Sequence, residues 1–443
     1  MRIRNLVGFF VSLFKRYFHI LKQHFKDPLY RNSLFLMANT TVTTVLGFAF
    51  WVVVARYYSK AEVGWAYAII NAIYLLALFS RLGLDVALIR FLPKAQKPIQ
   101  MMNSFFVISG IISLVLSILF VFVADILSPE LGFINDDARF VLAFIVFTVI
   151  WTFSCMMDQV FIARRRAEFV LYKSTLYSVL KIVLPFVLVY FFKAFGIVSS
   201  WGIAAVIGSF IGLFPFLPRV VRGYRIKLKI DLYIIKSVWR YSSGNYFFLL
   251  LLAAPGYILP LLVVNRLGAE ENAFFGMAWM IAGLLFVIPH AVSQSLFAEG
   301  SHFEEKLDDN VRRSYKFIFI LLIPAIALLL ACGKWILLAF GESYSENALP
   351  LLQVLALSGI FMGINSVYYT ILQVERKIAE LVIINGIIAL IVLIGSYLTI
   401  PETGIVGVGY VWFAVQGVLG VYIIVRMIKR HRQRIKTYLM MLN

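Results

Sequence analysis

The chain is a succession of long apolar segments separated by short polar or charged stretches. A helix needs about 20 predominantly apolar residues to cross the hydrocarbon core of a bilayer, and about twelve segments reach that length. Because 62% of the residues are hydrophobic, a soluble core could not bury them all. We therefore predict an all-α polytopic membrane protein. The predicted spans are residues 33–57, 64–90, 102–127, 138–163, 169–192, 197–217, 242–266, 273–298, 315–340, 347–372, 378–400 and 404–427.

Positive charge is concentrated in alternate connecting segments. The formal net charge is +19, and about 32 of the 41 Lys and Arg lie on one side of the predicted topology. This positive-inside bias predicts a multi-pass protein of the cytoplasmic (inner) membrane with both termini in the cytoplasm. It also makes an anionic lipid a better expected partner than a nucleic acid. The basic side holds the N-terminus, Lys94, Lys97, Arg164–Arg166, the segment Arg219–Arg240, Lys306, Arg312, Arg313, Arg376, Lys377 and the C-terminal tail.

A basic linker divides the chain into two halves of six spans. Short matches between the halves recur at a nearly constant offset of roughly 210 residues, which predicts parallel repeats with a site between them. The predicted organisation is two six-helix bundles, residues 29–217 and 241–427, joined by a cytoplasmic linker at 218–240. Residues 1–28 form a basic amphipathic segment expected to lie on the membrane surface, and residues 428–443 form a basic tail.

No motif for catalysis, metal binding or nucleotide binding is convincing. The five histidines do not fall at ligand spacing on a span. Cys155 and Cys332 both lie in apolar runs, which is typical of packing thiols. We expect no metal, no cofactor and no enzymatic activity.

The informative residues are charges within the predicted spans. Arg81 and Asp85 are four residues apart and can neutralise each other as a packing pair. Alternatively, Arg81 belongs to a cationic wall for a phosphate group. Arg90 is expected at the headgroup level. Lys181 lies near the middle of its span, too deep to reach water easily, and is predicted to face a cavity.

Three further polar residues are candidates, and two of them, Asp158 and Asn39, have two interpretations each. Asp158 either pairs with the arginine run that follows it or couples transport to a proton or cation, a role that Asp85 could also fill. Asn39 begins a polar face that includes several threonines, which either faces a substrate path or bonds back onto its own helix. Gln294 follows Pro289 in a span that we match to the one carrying Arg81.

The order of several motifs resembles the polysaccharide biosynthesis flippases. These are O-antigen and oligosaccharide-lipid translocases of the multidrug/oligosaccharidyl-lipid/polysaccharide exporter superfamily. The resemblance covers about residues 30–427, and it implies a V-shaped alternating-access transporter. The motifs that carry it are Arg31-Asn32-Ser33-Leu34, Tyr58-Ser59-Lys60-Ala61-Glu62-Val63-Gly64, Leu82-Gly83-Leu84, Ala87-Leu88-Ile89-Arg90-Phe91-Leu92-Pro93 and Ala163-Arg164-Arg165-Arg166.

The resemblance implies a substrate and a direction of transport. A polyprenyl-(di)phosphate-linked oligosaccharide would cross from the cytoplasmic to the outer leaflet for surface polysaccharide biosynthesis. Its headgroup would travel in the cleft and its tail in the lipid. Arg81, Lys181 and Arg90 would contact the phosphates, with Asp85, Asn39 and Gln294 as further substrate-binding residues. Glycan polymerases and glycosyltransferases are the implied protein partners, and we expect a monomer.

Two other functions stay open from the sequence. One is a cation-coupled multidrug exporter of the same superfamily, which an acidic cavity would suit better than a basic one. The other is a membrane glycan polymerase or glycosyltransferase, which would need larger external loops than the short ones predicted here.

Overall fold

The computed structural model of the protein describes residues 28–302 and 307–442. Regular structure in these ranges is entirely helical. Eleven of the helical segments are long and apolar enough to cross a membrane. The predicted fold class, an all-α polytopic membrane protein, is therefore confirmed. The interpretation of residues 1–27 as an interfacial helix lies outside the described residues.

The first half of the chain contributes six named helices. These are α1 (Pro28–Tyr57), α2 (Lys60–Arg81), α3 (Leu84–Phe91), α4 (Pro98–Leu127), α5 (Ala138–Ala163) and α6 (Glu168–Ile211). Short helical turns follow α3 at Leu92–Lys94, precede α5 at Pro129–Asp136, and follow α6 at Gly212–Phe216 and Leu217–Val220.

The second half contributes six more. Asp231 caps the first of them, because its carboxylate accepts hydrogen bonds from the backbone N–H groups of Tyr233 and Ile234. The helices are α7 (Leu232–Leu267), α8 (Ala269–His302), α9 (Leu307–Leu338), α10 (Glu342–Asn347), α11 (Leu349–Val374) and α12 (Ile378–Leu442).

Two of these helices each contain two predicted spans. In α12 the backbone leaves helical geometry at Gly404, where φ is 61°, and Gly395 packs against Val411 on the other side of the break. In α6 an added Cβ at Gly208 would lie 3.4 Å from the Cβ of Tyr177. Such contacts are those of antiparallel helical hairpins. Both helices therefore reverse direction, and the apolar segments make twelve crossings.

The predicted span 64–90 is wrong as a single helix. Helix α2 ends at Arg81, and α3 begins at Leu84. The two residues between them, Leu82 and Gly83, have positive φ angles of 48° and 74°, so the helix is broken. Glycine adopts this conformation without steric cost, which explains why the break falls at a Leu-Gly pair. Arg81 consequently lies at a helix end.

The two halves end their fourth spans in the same way. Arg165 follows α5 with φ 56°, and Arg376 follows α11 with φ 59°. In each case the next N–H, that of Arg166 or Lys377, donates back to a carbonyl in the last helical turn, as in a Schellman C-cap. Arginine rarely adopts positive φ, so its occurrence at both matched positions supports the predicted repeat.

Candidate functional site

A large cavity lies between the two halves of the molecule. Its volume is about 1330 Å³, and residues from α1, α2, α3 and α6 face it from the first half. Residues from α7, α8, α11 and α12 line it from the second half. Sites for drug-sized ligands are usually about 300–1,000 Å³, so this cavity has room for a larger group.

Tight helix packing closes one end of the cavity. Gly64 of α2 approaches the Ala269 backbone so closely that an added Cβ would overlap the Ala269 carbonyl oxygen. The Asn272 side-chain amide donates to the Gly64 carbonyl at 2.8 Å. Arg56 donates from Nε to the Ala339 carbonyl at 2.8 Å and from Nη2 to the Leu338 carbonyl at 2.7 Å. These contacts join the first half to α8 and to the C-terminal end of α9.

The charged residues that line the cavity are all cationic. They are Arg90, Lys181 and Arg376. No aspartate or glutamate is found among the described residues of the lining. Arg90 and Arg376 are exposed, and each lies far along the chain from the closed-end contacts. Arg376 follows the last turn of α11, whose first turn is next to the closed end.

Lys181 is the buried cation of the cavity. Its residue is 9% exposed, and its Nζ lies 4.8 Å from the ring centroid of Tyr177 and 5.3 Å from that of Phe50. Aromatic faces stabilise a cation at these distances. Within the described part of the chain, no carboxylate forms an ion pair with it. An anionic ligand would therefore meet an uncompensated positive charge.

Arg81 and Asp85 pair with each other and are absent from the lining of the cavity. Arg81 Nη1 donates to Asp85 Oδ2 at 2.9 Å, and Arg81 Nε donates to the Ala77 carbonyl at 3.2 Å. Asp85 Oδ1 accepts from the Val86 N–H at 2.9 Å. The pair thus spans the break between α2 and α3. Its geometry matches the packing interpretation, and direct contact of Arg81 with a ligand stays a prediction.

The predicted polar residues divide between two places. Gln294 lines the cavity, where its side-chain nitrogen lies 3.0 Å from His290 Nε2. Asn39 is outside the lining. On the helix that carries Asn39, the hydroxyls of Thr40, Thr41 and Thr43 donate to carbonyls of their own helix, as the second interpretation of this face anticipated.

Asp158 pairs with a lysine instead of the arginine run. Lys173 Nζ lies 2.7 Å from Asp158 Oδ1 and donates to the carbonyl and hydroxyl of Ser154. All three residues line a second cavity of about 290 Å³ inside the first half. Tyr74 and Lys181 line both cavities. The expected pairing of Asp158 with the arginines is therefore wrong, because Lys173 on α6 comes closer.

Sequence reasoning missed two parts of the lining. Arg376 was recognised only as a loop charge, although its match to Arg165 in the repeat singled it out. The aromatic rings were missed because they occur on many helices and form no local motif. They are Phe50, Trp51, Tyr67, Tyr74, Trp201, Phe248, Tyr257, Trp279, Phe286, Phe297, Tyr369 and Trp412.

Family models match both halves of the chain. The model described as polysaccharide biosynthesis protein matches residues 29–288, more than half of the sequence. The chain belongs to the polysaccharide biosynthesis protein family. A second model, MatE, matches residues 247–398 of this family member. Both matches fit the multidrug/oligosaccharidyl-lipid/polysaccharide exporter superfamily, so the protein is a membrane transporter and not an enzyme.

A similar curated protein is a putative O-antigen transporter of Shigella flexneri. It is 25% identical over 156 residues, which are 34% of this chain and 37% of the relative. The chain thus spans little more than a third of the length of that relative.

Two solved structures share the fold. An inward-facing multidrug resistance MATE family transporter has a TM-score of 0.68 at 17% identity, over 89% of this chain and 99% of that one. The lipid II flippase MurJ in an inward closed conformation also has a TM-score of 0.68 at 17% identity, over 89% of this chain and 87% of its own. The predicted V-shaped two-bundle transporter fold is confirmed by these likenesses.

Proposed function

We propose that the protein is a flippase for polyprenyl-(di)phosphate-linked oligosaccharide. The observation that carries the proposal is the positive charge of the cavity lining. Arg90, Lys181 and Arg376 line the cavity, and no described carboxylate does. A diphosphate needs such a path because ions cannot cross about 30 Å of hydrocarbon unaided. The volume of about 1330 Å³ suits a headgroup of several sugars better than a drug.

The residues of the lining suggest a sequence of contacts. Arg90 and Arg376 are exposed and meet the diphosphate first. The buried Lys181 then holds it between the halves while the polyprenyl tail stays in lipid. Opening of the contacts between Gly64 and Ala269 releases the headgroup on the opposite side, as alternating access requires.

The orientation and organisation follow as proposals from the charge pattern. The basic segments, including the one that carries Arg376, face the cytoplasm. The cavity therefore receives its substrate from the cytoplasmic leaflet of the inner membrane, and both termini are cytoplasmic. The moving bodies are residues 29–217 and 241–427. The linker 218–240 joins them, and the segments 1–28 and 428–443 lie at the cytoplasmic surface. Membrane lipids and glycosyltransferases are the proposed partners of a monomer.

Asp158 is the proposed coupling site. Its ion pair with Lys173 borders the cavity that shares Lys181 with the main one. Protonation or Na⁺ binding at Asp158 would release Lys173 from the pair and change the charge near Lys181. We expect Asp158→Asn to make transport insensitive to a proton or Na⁺ gradient in proteoliposomes. Asp85→Asn is the matched control, because Asp85 pairs outside both linings.

Multidrug export is the second candidate function. It is favoured by the MatE match over residues 247–398 and by the MATE family structure with the same fold. A cationic drug would, however, be repelled by three positive side chains in the lining. Energy-dependent ethidium efflux from cells that express the protein would support this candidate.

The flippase proposal is tested by translocation of a fluorescent polyprenyl-diphosphate oligosaccharide in proteoliposomes. We expect the wild type to move it and Arg376→Gln to slow it about 10- to 100-fold, because a charge-assisted hydrogen bond contributes about 1.5–3 kcal/mol. Lys377→Gln is the adjacent control, since Lys377 pairs with Glu375 and is outside the lining. Equal slowing by both variants would contradict the assignment.

A further inference from the structure

The part of the cavity nearest its closed end is lined by aromatic rings. Trp279 and Trp412 pack edge to face with ring centroids 5.1 Å apart. Trp51 and Tyr67 form a similar pair at 5.3 Å on the first half. All four residues line the cavity. Each half of the molecule therefore contributes one aromatic pair to this part of the cavity.

Helix geometry separates this aromatic region from Arg376, whereas Lys181 lies beside it, 5.3 Å from the ring centroid of Phe50. Trp279 lies roughly 15 Å along α8 from the closed-end contact at Ala269. Gln294 lies a further 22 Å or so along the same helix. Arg376 lies beyond the far end of α11. The cavity thus has an aromatic closed end with Lys181 beside it, and an open end that carries the exposed Arg376.

Buried polar groups without a partner lie in the same lining. Trp412 is 8% exposed, and its Nε1–H has no hydrogen-bond acceptor within the described chain. Trp201 differs, because its Nε1–H donates to the Tyr74 hydroxyl at 3.2 Å. The Ser293 hydroxyl is also buried without a described partner, but it lies next to Gln294 toward the open end. A buried polar group without a hydrogen-bond partner typically lowers the stability by about 1–3 kcal/mol. Its occurrence in a cavity wall therefore points to a ligand that binds there.

Two amides of the cavity lining extend the polar set. Gln416 is buried, and its Oε1 accepts from Asn365 Nδ2 at 2.7 Å. The Gln416 amide nitrogen is therefore left to donate to a ligand. Asn385 uses its Nδ2 on the Leu381 carbonyl at 2.9 Å, which leaves its oxygen as an acceptor. Both residues line the cavity.

From this combination we infer that the closed end of the cavity is a carbohydrate subsite. A pyranose ring has an apolar C–H face that stacks on indole and a rim of hydroxyls that exchange hydrogen bonds with amides. Trp412 and the face of Trp279 that is not stacked on Phe275 supply the stacking surface, and the Trp412 Nε1–H binds a sugar hydroxyl. The inference rests on the proposed function. It adds that the sugars lie against the aromatic rings of the closed end, while Lys181, beside the same rings, holds the diphosphate.

The test compares two kinds of soluble probe on the purified protein. Farnesyl diphosphate carries the anionic group alone. Farnesyl diphosphates bearing glucose, galactose, rhamnose or N-acetylglucosamine carry one sugar in addition. We expect at least one sugar-bearing probe to bind about tenfold more tightly than farnesyl diphosphate. Trp412→Phe keeps an aromatic ring but removes the N–H, so we expect it to abolish most of that preference while leaving the affinity for farnesyl diphosphate unchanged.

Two controls separate the outcomes. Trp335→Phe changes an exposed tryptophan outside the cavity and should leave both affinities unchanged. Lys181→Gln should weaken both probes equally, so their ratio stays constant. The carbohydrate subsite alone is overturned if farnesyl diphosphate binds but no sugar increases the affinity. It is also overturned if the increase in affinity persists in Trp412→Phe. Failure of every probe to bind overturns the proposed function instead.

Discussion

At the scale of residues, the charges divide into those that compensate each other and those left facing the cavity. Arg81 pairs with Asp85 and Lys173 pairs with Asp158. Lys181 has no ion pair within the described chain, and its Nζ lies beside two aromatic rings. The sequence predicted that these spans carry charge. It could not predict which charge lacks a partner, because Lys173 and Asp158 lie on different helices.

The Arg81–Asp85 pair is predicted to stabilise the break between α2 and α3. Both side chains are largely buried, at 18% and 15% exposed. We expect Arg81→Gln to lower the free energy of unfolding by about 1–3 kcal/mol, since it leaves Asp85 unpaired. The measurement is a double-mutant cycle with Asp85→Asn, read from unfolding in detergent. Additive losses in the double variant would show that the two residues are not coupled.

At the scale of elements, the contact between α2 and α8 holds the closed end. The approach of Gly64 to the Ala269 backbone leaves no room for a side chain. We predict that Gly64→Ala forces these helices apart and shifts the population toward a conformation open at that end. Spin-label distances between α2 and α8 should lengthen. Gly283→Ala on α8 is the matched control, because nothing lies within 4 Å of its added Cβ, and no shift is expected there.

The helices also show which structural features the sequence patterns were sufficient to predict. Apolar length predicted the crossings, and the caps that the structure shows at Arg165 and Arg376 are separated by the predicted repeat offset. The break at Leu82–Gly83 was missed because the apolar run continues through it. Hydropathy measures compatibility with the membrane and does not report backbone conformation. The Leu-Gly pair was the one available signal.

At the scale of the whole molecule, the two-bundle transporter fold could be predicted from span count, charge alternation and repeats. The set of residues that line the cavity could not be predicted. Its wall combines residues from four helices of each half, and no local motif marks the aromatic rings. Since flippases and multidrug exporters share the fold, the functional difference between them has to lie in the cavity wall.

The most direct test of the account is a competition between ligands of opposite charge. Binding of farnesyl diphosphate and of tetraphenylphosphonium to the purified protein would be measured by tryptophan fluorescence, for the wild type and for Lys181→Glu combined with Arg376→Glu. We predict that the wild type prefers the diphosphate and that the double variant prefers the cation. A wild type that prefers tetraphenylphosphonium, or a preference that the double variant leaves unchanged, would contradict an anion-binding cavity.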